Sequence, residues 1–218
     1  MKPEPTVFIV DDDPGARDSL EYLITSAGLP VVSYPSAEAF LAAYDPQRPG
    51  CLVLDVRMPG ASGTELYADL RARGDAPPVV FLTAYGNVRM ATEAMKDGAV
   101  YFLEKPYKDD ELLERVYEAL ERDRQRRAAE QRRRQIRALW DRCTPREKAV
   151  GKLVAAGQSN KQIARRLGVS EKTIEAHRKH LYAKMHVRSA VELMQALLPI
   201  GEAEPGDHVP PRGVTAEH

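Results

Sequence analysis

Thr6-Val-Phe-Ile-Val-Asp-Asp-Asp13 decides the fold of the first half of this chain: a short apolar run that ends on three consecutive acids. Cys51-Leu-Val-Leu54 ends in the same way on Asp55, and Val100-Tyr-Phe-Leu103 leads into Lys105-Pro106. Short apolar runs of this kind read as strands buried on both faces. In an open parallel sheet the carboxyl ends of the strands line a common ligand crevice, so Asp11, Asp12, Asp55 and Lys105 converge on one pocket. Acids gathered at one point repel each other unless a cation sits among them. Hard carboxylate oxygens with water suit Mg2+, and a lysine ammonium suits a phosphoryl oxygen as a point charge. This is the chemistry of a site that handles phosphate. An acid after a strand also serves as a helix cap. For Asp11 or Asp55 taken singly that plainer role stands, but it does not account for both acids together with Lys105.

Strands are expected at 6–10, 31–34, 51–54, 79–82 and 100–103, with amphipathic stretches between them at Ser36–Tyr44, Thr64–Arg73 and Val88–Asp97. Such alternation implies an α/β domain over residues 5–121, a doubly wound, five-stranded parallel sheet covered on both faces. Its last helix begins near Asp109, with Leu112, Leu113, Val116, Tyr117 and Leu120 as the apolar stripe. From Glu121 to Arg137 the sequence stays compatible with helix but holds almost nothing apolar. A helix polar all round is not a core element. Residues 122–142 therefore read as an Arg-rich linker helix, solvated, with direct DNA contact by its arginines as the other reading.

The formal charge of zero conceals a split. Residues 1–120 carry 20 acids and 11 bases, whereas residues 121–200 carry 8 acids and 20 bases. A basic module for a polyanion is joined to an acidic one. Cys51 and Cys143 are the only cysteines, which excludes a disulfide framework and fits a reducing compartment. No run approaches the ~18 apolar residues of a membrane span, and Met-Lys-Pro-Glu-Pro at the start holds no apolar signal region. The expectation is a cytoplasmic protein with no membrane partner.

Apolar periodicity returns at Ile136–Trp140 and continues through four short helical segments, an all-α domain expected at 143–198. Thr144-Pro-Arg-Glu147 signals a helix start, with Thr as cap, Pro in the first turn and Glu three residues on. Ser159, Ser170 with Thr173, and Ser189 open the others. Ala164 is small where two helices must cross, Gly168 supplies the turn and Ile174 buries the second helix, which is helix-turn-helix spacing. Residues 199–218, rich in Gly, Pro and acids without periodicity, read as a disordered tail.

Val10-Asp11-Asp12-Asp13, Asp55-Val-Arg-Met-Pro59, Thr83-Ala84 and Lys105-Pro106, at these spacings, resemble the receiver domain of bacterial two-component response regulators. The resemblance implies that Asp55 takes a phosphoryl group from a sensor histidine kinase. It implies that Mg2+ is held by Asp11, Asp12, Asp55 and the backbone carbonyl of Arg57, with Asp13 a spectator at the helix start. It further implies that Thr83 and Phe102 move together on phosphorylation, remodelling the face near residues 87–107, through which the receiver dimerises. On spacing alone Phe102 reads equally as a plain strand aromatic. Arg57 and Tyr85 flank the route of an attacking water and are expected to set the phosphoryl lifetime.

Thr144-Pro-Arg-Glu147, Val169-Ser170, Thr173-Ile174 and Lys184-Met185 are similar to the LuxR-type four-helix output domain. The chain as a whole resembles the NarL/FixJ group, closer to the FixJ branch by Glu104-Lys-Pro106 and Glu175-Ala-His-Arg178. A recognition helix near Glu171–Met185 is expected in the major groove. Glu175, Ala176 and Lys179 are placed for bases. Lys161, Gln162, Lys172, Thr173, Arg178, Lys184 and Arg188 are placed for phosphates. Glu175 also has an intrahelical partner at hand in Lys179.

The expected protein is thus a phosphorylation-switched transcription regulator. Its partners are a sensor histidine kinase, double-stranded promoter DNA, a second copy of itself and RNA polymerase. An Mg2+-dependent phosphatase, suggested by Asp11-x-Asp13, is disfavoured: Arg57 stands where the acid–base aspartate would follow Asp55, and no cap insert is visible. A docking protein with a vestigial pocket is the remaining alternative, and the complete Asp11/Asp12/Asp55/Thr83/Lys105 set argues against it.

Overall fold

The computed structural model describes residues 4–74, 76–84 and 101–203. Tyr85, the helix expected over Val88–Asp97 and the tail from residue 204 onward lie outside the described residues. The chain divides into two compact units between Arg127 and Ala128.

In the first unit, β1 (Thr6–Val10), β2 (Val31–Tyr34), β3 (Gly50–Asp55), β4 (Val79–Thr83) and β5 (Tyr101–Glu104) form one sheet in the order β2-β1-β3-β4-β5. All four pairings are parallel, with Val10 beside Leu54 and Asp55 beside Leu82. Side chains alternate across a strand, and the runs are apolar on both phases. Phe8, Val10, Leu52, Leu54, Val79 and Phe81 pack on one face with Phe40, Leu66 and Leu70. Val7, Ile9, Cys51, Val53, Val80 and Leu82 pack on the other with Leu20, Ile24, Leu112 and Val116. The connections include α1 (Pro14–Ser26), α2 (Ala37–Ala43) and α3 (Gly63–Ala72). The strand order reverses between β1 and β3, the place where doubly wound sheets bind ligands, and Asp11 and Asp55 stand at the carboxyl ends of those two strands.

A single helix, α4, runs Asp109–Asp141. Its first turns bury Leu112, Val116 and Ala119, whereas Tyr117 of the expected stripe is exposed. The wholly solvated linker expected from residue 122 is not what is found. Asp123 is 1% exposed, accepts the Gly50 N–H at 2.9 Å, and pairs with Arg126 and Arg127 at 2.6 Å each. Arg127 also donates to the carbonyls of Pro46, Gln47 and Arg48 at 2.9–3.0 Å. The helix stays with the first unit through Arg127 because this ionic latch, rather than an apolar stripe, holds it there.

The second unit contains α5 (Pro145–Ala155), α6 (Asn160–Leu167), α7 (Glu171–Met185) and α8 (Ala190–Leu197). Thr144, Ser159, Ser170 and Ser189 cap them, the first two in full capping boxes with Glu147 and Gln162. Gly168 ends α6 at φ +67°, a left-handed turn that costs a residue with a Cβ more than glycine. Trp140, Val150, Ile163, Ile174, Leu181 and Leu193 form the core. Order extends past the expected end at 198. Pro199 lies in a 3-10 turn, Ile200 is buried, and Glu202 pairs with Arg137 and Lys152 at 2.7 and 2.8 Å. An apolar anchor and an ion pair hold residues that composition alone suggested were loose.

Candidate functional site

β1, β3 and β5 deliver Asp11, Asp55 and Lys105 to one point. Lys105 Nζ lies 2.6 Å from Asp55 Oδ1 and 3.1 Å from Asp11 Oδ2, and both acids are buried. The other oxygens are also engaged: Asp55 Oδ2 accepts the Arg57 N–H at 2.7 Å, and Asp11 Oδ1 accepts the Asp13 N–H at 3.0 Å. Burial works against the charge of Lys105, but its bond to Asp55 and the charges of Asp11 and Asp55 outweigh that and raise its pKa above the ordinary lysine value. Asp13 turns away from the pocket and caps α1, accepting the N–H groups of Gly15 and Ala16 at 2.7 and 3.1 Å. Asp12 is exposed at the rim.

Two supports escaped the sequence reading. Arg17, in the first turn of α1, donates to the carbonyls of Asp11 and Asp12 at 2.8 and 3.0 Å and so fixes the acid-bearing turn. Its signal was a cation at a helix N-terminus, where the dipole disfavours one. Gly63 opens α3 directly over β3, where a Cβ would stand 2.1 Å from the Asp55 carbonyl oxygen. Thr83 ends β4, half-buried, and its carbonyl accepts the Lys105 N–H at 2.7 Å. Phe102 stacks on Phe81 with ring centroids 4.8 Å apart, in the strand-aromatic position. Arg57 is exposed.

Among the described residues no three acids, histidines or cysteines form a group at metal-ligand spacing. The donors present are nonetheless all oxygens, from two buried carboxylates that already share one cation and a third acid at the rim. Mg2+ takes one or two carboxylates and keeps several waters, and this donor set fits it.

In the second unit the helix over Glu171–Met185 is as expected, and Glu175, Ala176 and Lys179 share its exposed face. Among the described residues no ion pair joins Glu175 to Lys179. Lys161, Lys172 and Arg188 are also exposed. The remaining residues expected at phosphates have intramolecular roles. Gln162 accepts the Ser159 N–H at 2.8 Å, and the Thr173 hydroxyl meets that of Ser170 at 2.8 Å. Lys184 Nζ lies 2.7 Å from Glu147, whose carboxylate is buried and also caps α5. Arg178 reaches Asn160 and Tyr182.

Residues 7–117 match the family described as response regulator receiver domain, and residues 141–197 match that described as bacterial regulatory proteins, luxR family. Nodulation protein W of Bradyrhizobium diazoefficiens is 44% identical over 189 residues, covering 87% of this chain and 83% of that protein. The chain belongs to the NarL/FixJ family of two-component response regulators. Within this family, the transcriptional regulatory protein FixJ of Azorhizobium caulinodans is 40% identical over 204 residues, covering 94% of this chain and 97% of that one. The solved response regulator StyR matches with a TM-score of 0.77 at 42% identity, covering 89% of this chain and 98% of that one. Full-length FixJ from B. japonicum matches with a TM-score of 0.54 at 38% identity, covering 91% and 98%. The protein is a response regulator transcription factor with a LuxR-type DNA-binding domain. No described helix is long and apolar enough to cross a membrane.

Proposed function

We propose that Asp55 is the phosphoryl acceptor of a two-component relay in the cytoplasm. The donor is a phosphohistidine on a sensor histidine kinase, and acceptance promotes dimerisation and sequence-specific binding to promoter DNA. The observation that carries this reading is the Lys105 ammonium set 2.6 Å from Asp55 and 3.1 Å from Asp11.

A carboxylate serves as a covalent phosphoryl acceptor when charge is compensated and the reactants are positioned. An oxygen of Asp55 attacks phosphorus. The phosphorus–nitrogen bond breaks with its electron pair leaving on the donor imidazole, and an acyl phosphate remains on Asp55. The Arg57 N–H holds the carboxylate in place, and Lys105 passes from the carboxylates to the transferred oxygens. Asp11, Asp12, Asp55 and the Arg57 carbonyl would hold Mg2+, which would supply further positive charge to those oxygens. The Thr83 hydroxyl turns to the phosphoryl group, Phe102 follows it, and the equilibrium shifts toward the dimer. Arg57 and Tyr85 govern the approach of water, and hence self-dephosphorylation.

A two-fold dimer presents two copies of α7 to two half-sites. Glu175, Ala176 and Lys179 read bases, and Lys161, Lys172 and Arg188 hold phosphates. RNA polymerase is the further partner at the promoter. The test is incubation with acetyl phosphate and Mg2+. A hydroxylamine-labile phosphoryl adduct is expected on the wild type and none on Asp55→Asn. An adduct that survives that substitution would assign the acceptor elsewhere.

A further inference from the structure

Arg178 lies on the recognition helix among residues that face DNA in the proposed reading, yet its guanidinium is spent inside the protein. One terminal nitrogen donates to Asn160 Oδ1 at 2.6 Å, and the other donates to the Tyr182 hydroxyl at 2.8 Å. The guanidinium carbon lies 5.5 Å from the Tyr182 ring centroid, within cation–π range. Asn160 is the first residue of α6, and Tyr182 packs against the core of the second unit one turn along α7 from Arg178. The side chain therefore ties the middle of α7 to the N-terminus of the helix that precedes it. Arginine suits this role because its planar fork makes two directed bonds at once, which an ammonium cannot reproduce.

We infer that Arg178 is a positioning and specificity-determining residue, which sets the angle of α7 against α6 and so the aim of Glu175, Ala176 and Lys179, rather than a phosphate contact. This rests on the proposed DNA-binding reading. Base readout depends on the placement of side chains in the groove, whereas non-specific binding depends on the number of phosphates neutralised. The two roles therefore separate in the salt dependence.

The experiment uses the full chain with beryllofluoride and Mg2+, a duplex selected by the wild type from a randomised library, and an unrelated duplex of the same length. Affinities are measured across a salt series for wild type, Arg178→Ala, Arg178→Lys, Asn160→Ala and Tyr182→Phe. Folding of each is checked by the fluorescence of Trp140, which is buried in the same unit. A positioning role predicts that all four variants lose about tenfold or more of the ratio between selected and unrelated duplex, and that Arg178→Ala keeps the wild-type salt slope. A phosphate contact predicts the converse: Arg178→Ala lowers the slope by about 0.9 on both duplexes, while Arg178→Lys, Asn160→Ala and Tyr182→Phe behave as wild type. That result would overturn the inference and leave the DNA-binding reading intact. Failure of the wild type to enrich any duplex would overturn both.

Discussion

Lys105 Nζ and Asp55 Oδ1, fifty residues apart in sequence, meet at 2.6 Å at the carboxyl edge of the sheet. The same ammonium reaches Asp11 at 3.1 Å, so one cation holds two buried carboxylates that would otherwise repel. This makes Lys105 a structural residue before it is a functional one. Lys105→Met is expected to destabilise the first unit by about 2–3 kcal/mol, less than the ~3–5 kcal/mol for stripping a partner from fully buried charges, because its side chain keeps 30% exposure. Urea unfolding followed by circular dichroism measures this. Added Mg2+ should restore part of the loss in the variant, and an absence of any Mg2+ effect would count against the proposed cation site.

Gly63 is expected to accept no larger residue. A Cβ there would meet the Asp55 carbonyl oxygen at 2.1 Å and Leu54 Cγ at 2.9 Å, so α3 would have to lift from β3. Gly63→Ala should cost about 2 kcal/mol or more and slow phosphorylation of Asp55 by acetyl phosphate. A variant with wild-type stability and wild-type rate would show that this close approach is not needed.

The Asp123 latch gives a prediction at the opposite end of β3. Asp123→Ala strands the buried Gly50 N–H and removes the shared anion of Arg126 and Arg127. A loss of about 2–3 kcal/mol is expected, discounted because Arg126 keeps 36% exposure. Hydrogen exchange should show loss of protection at Gly50 and along residues 120–127. Unchanged protection there would mean that the helix is held by its apolar turns alone.

Glu147 supplies a pH dependence. Burial acts to raise its pKa, but the bonds from Lys184 and Thr144 prevail and hold it below the ordinary glutamate value. A depressed carboxylate stabilises the fold above its unfolded value, about 4.3, and that stabilisation is lost as pH falls through the lower folded value. The stability gap between wild type and Glu147→Gln is expected to be about 1 kcal/mol near pH 7, modest because Lys184 is 37% exposed, and to close as the pH falls below the unfolded value and through the lower folded one. Thermal unfolding read by Trp140, the only tryptophan, reports on this unit. A gap that persists at low pH would exclude the charge as its cause.

The parallel sheet and the convergence of Asp11, Asp55 and Lys105 were legible because β1, β3 and β5 are short, largely apolar runs, each closed or followed at once by the residue that matters. Helix starts such as Thr144, Ser159 and Ser170 were legible for a similar local reason: the cap and its partner lie three residues apart. Contacts between distant polar residues were not. Asp123 in an Arg-rich run looks like one more surface pair, and only the fold brings Gly50 and the 46–48 carbonyls to it. Arg178 and Lys184 look like free cations for the same reason, since Asn160 and Glu147 are 18 and 37 residues away. The anchoring of Glu202 was hidden by a composition that resembles a disordered tail.

In the proposed function the state of Asp55 controls the affinity of the second unit for DNA. The most direct test of this control is sedimentation of the full chain with labelled promoter-library DNA, with and without Mg2+ and beryllofluoride, for wild type beside Asp55→Asn. Only the wild type is expected to dimerise and gain DNA affinity, and only when both additives are present. Equal binding by both proteins under every condition would contradict it and make the pocket a vestige.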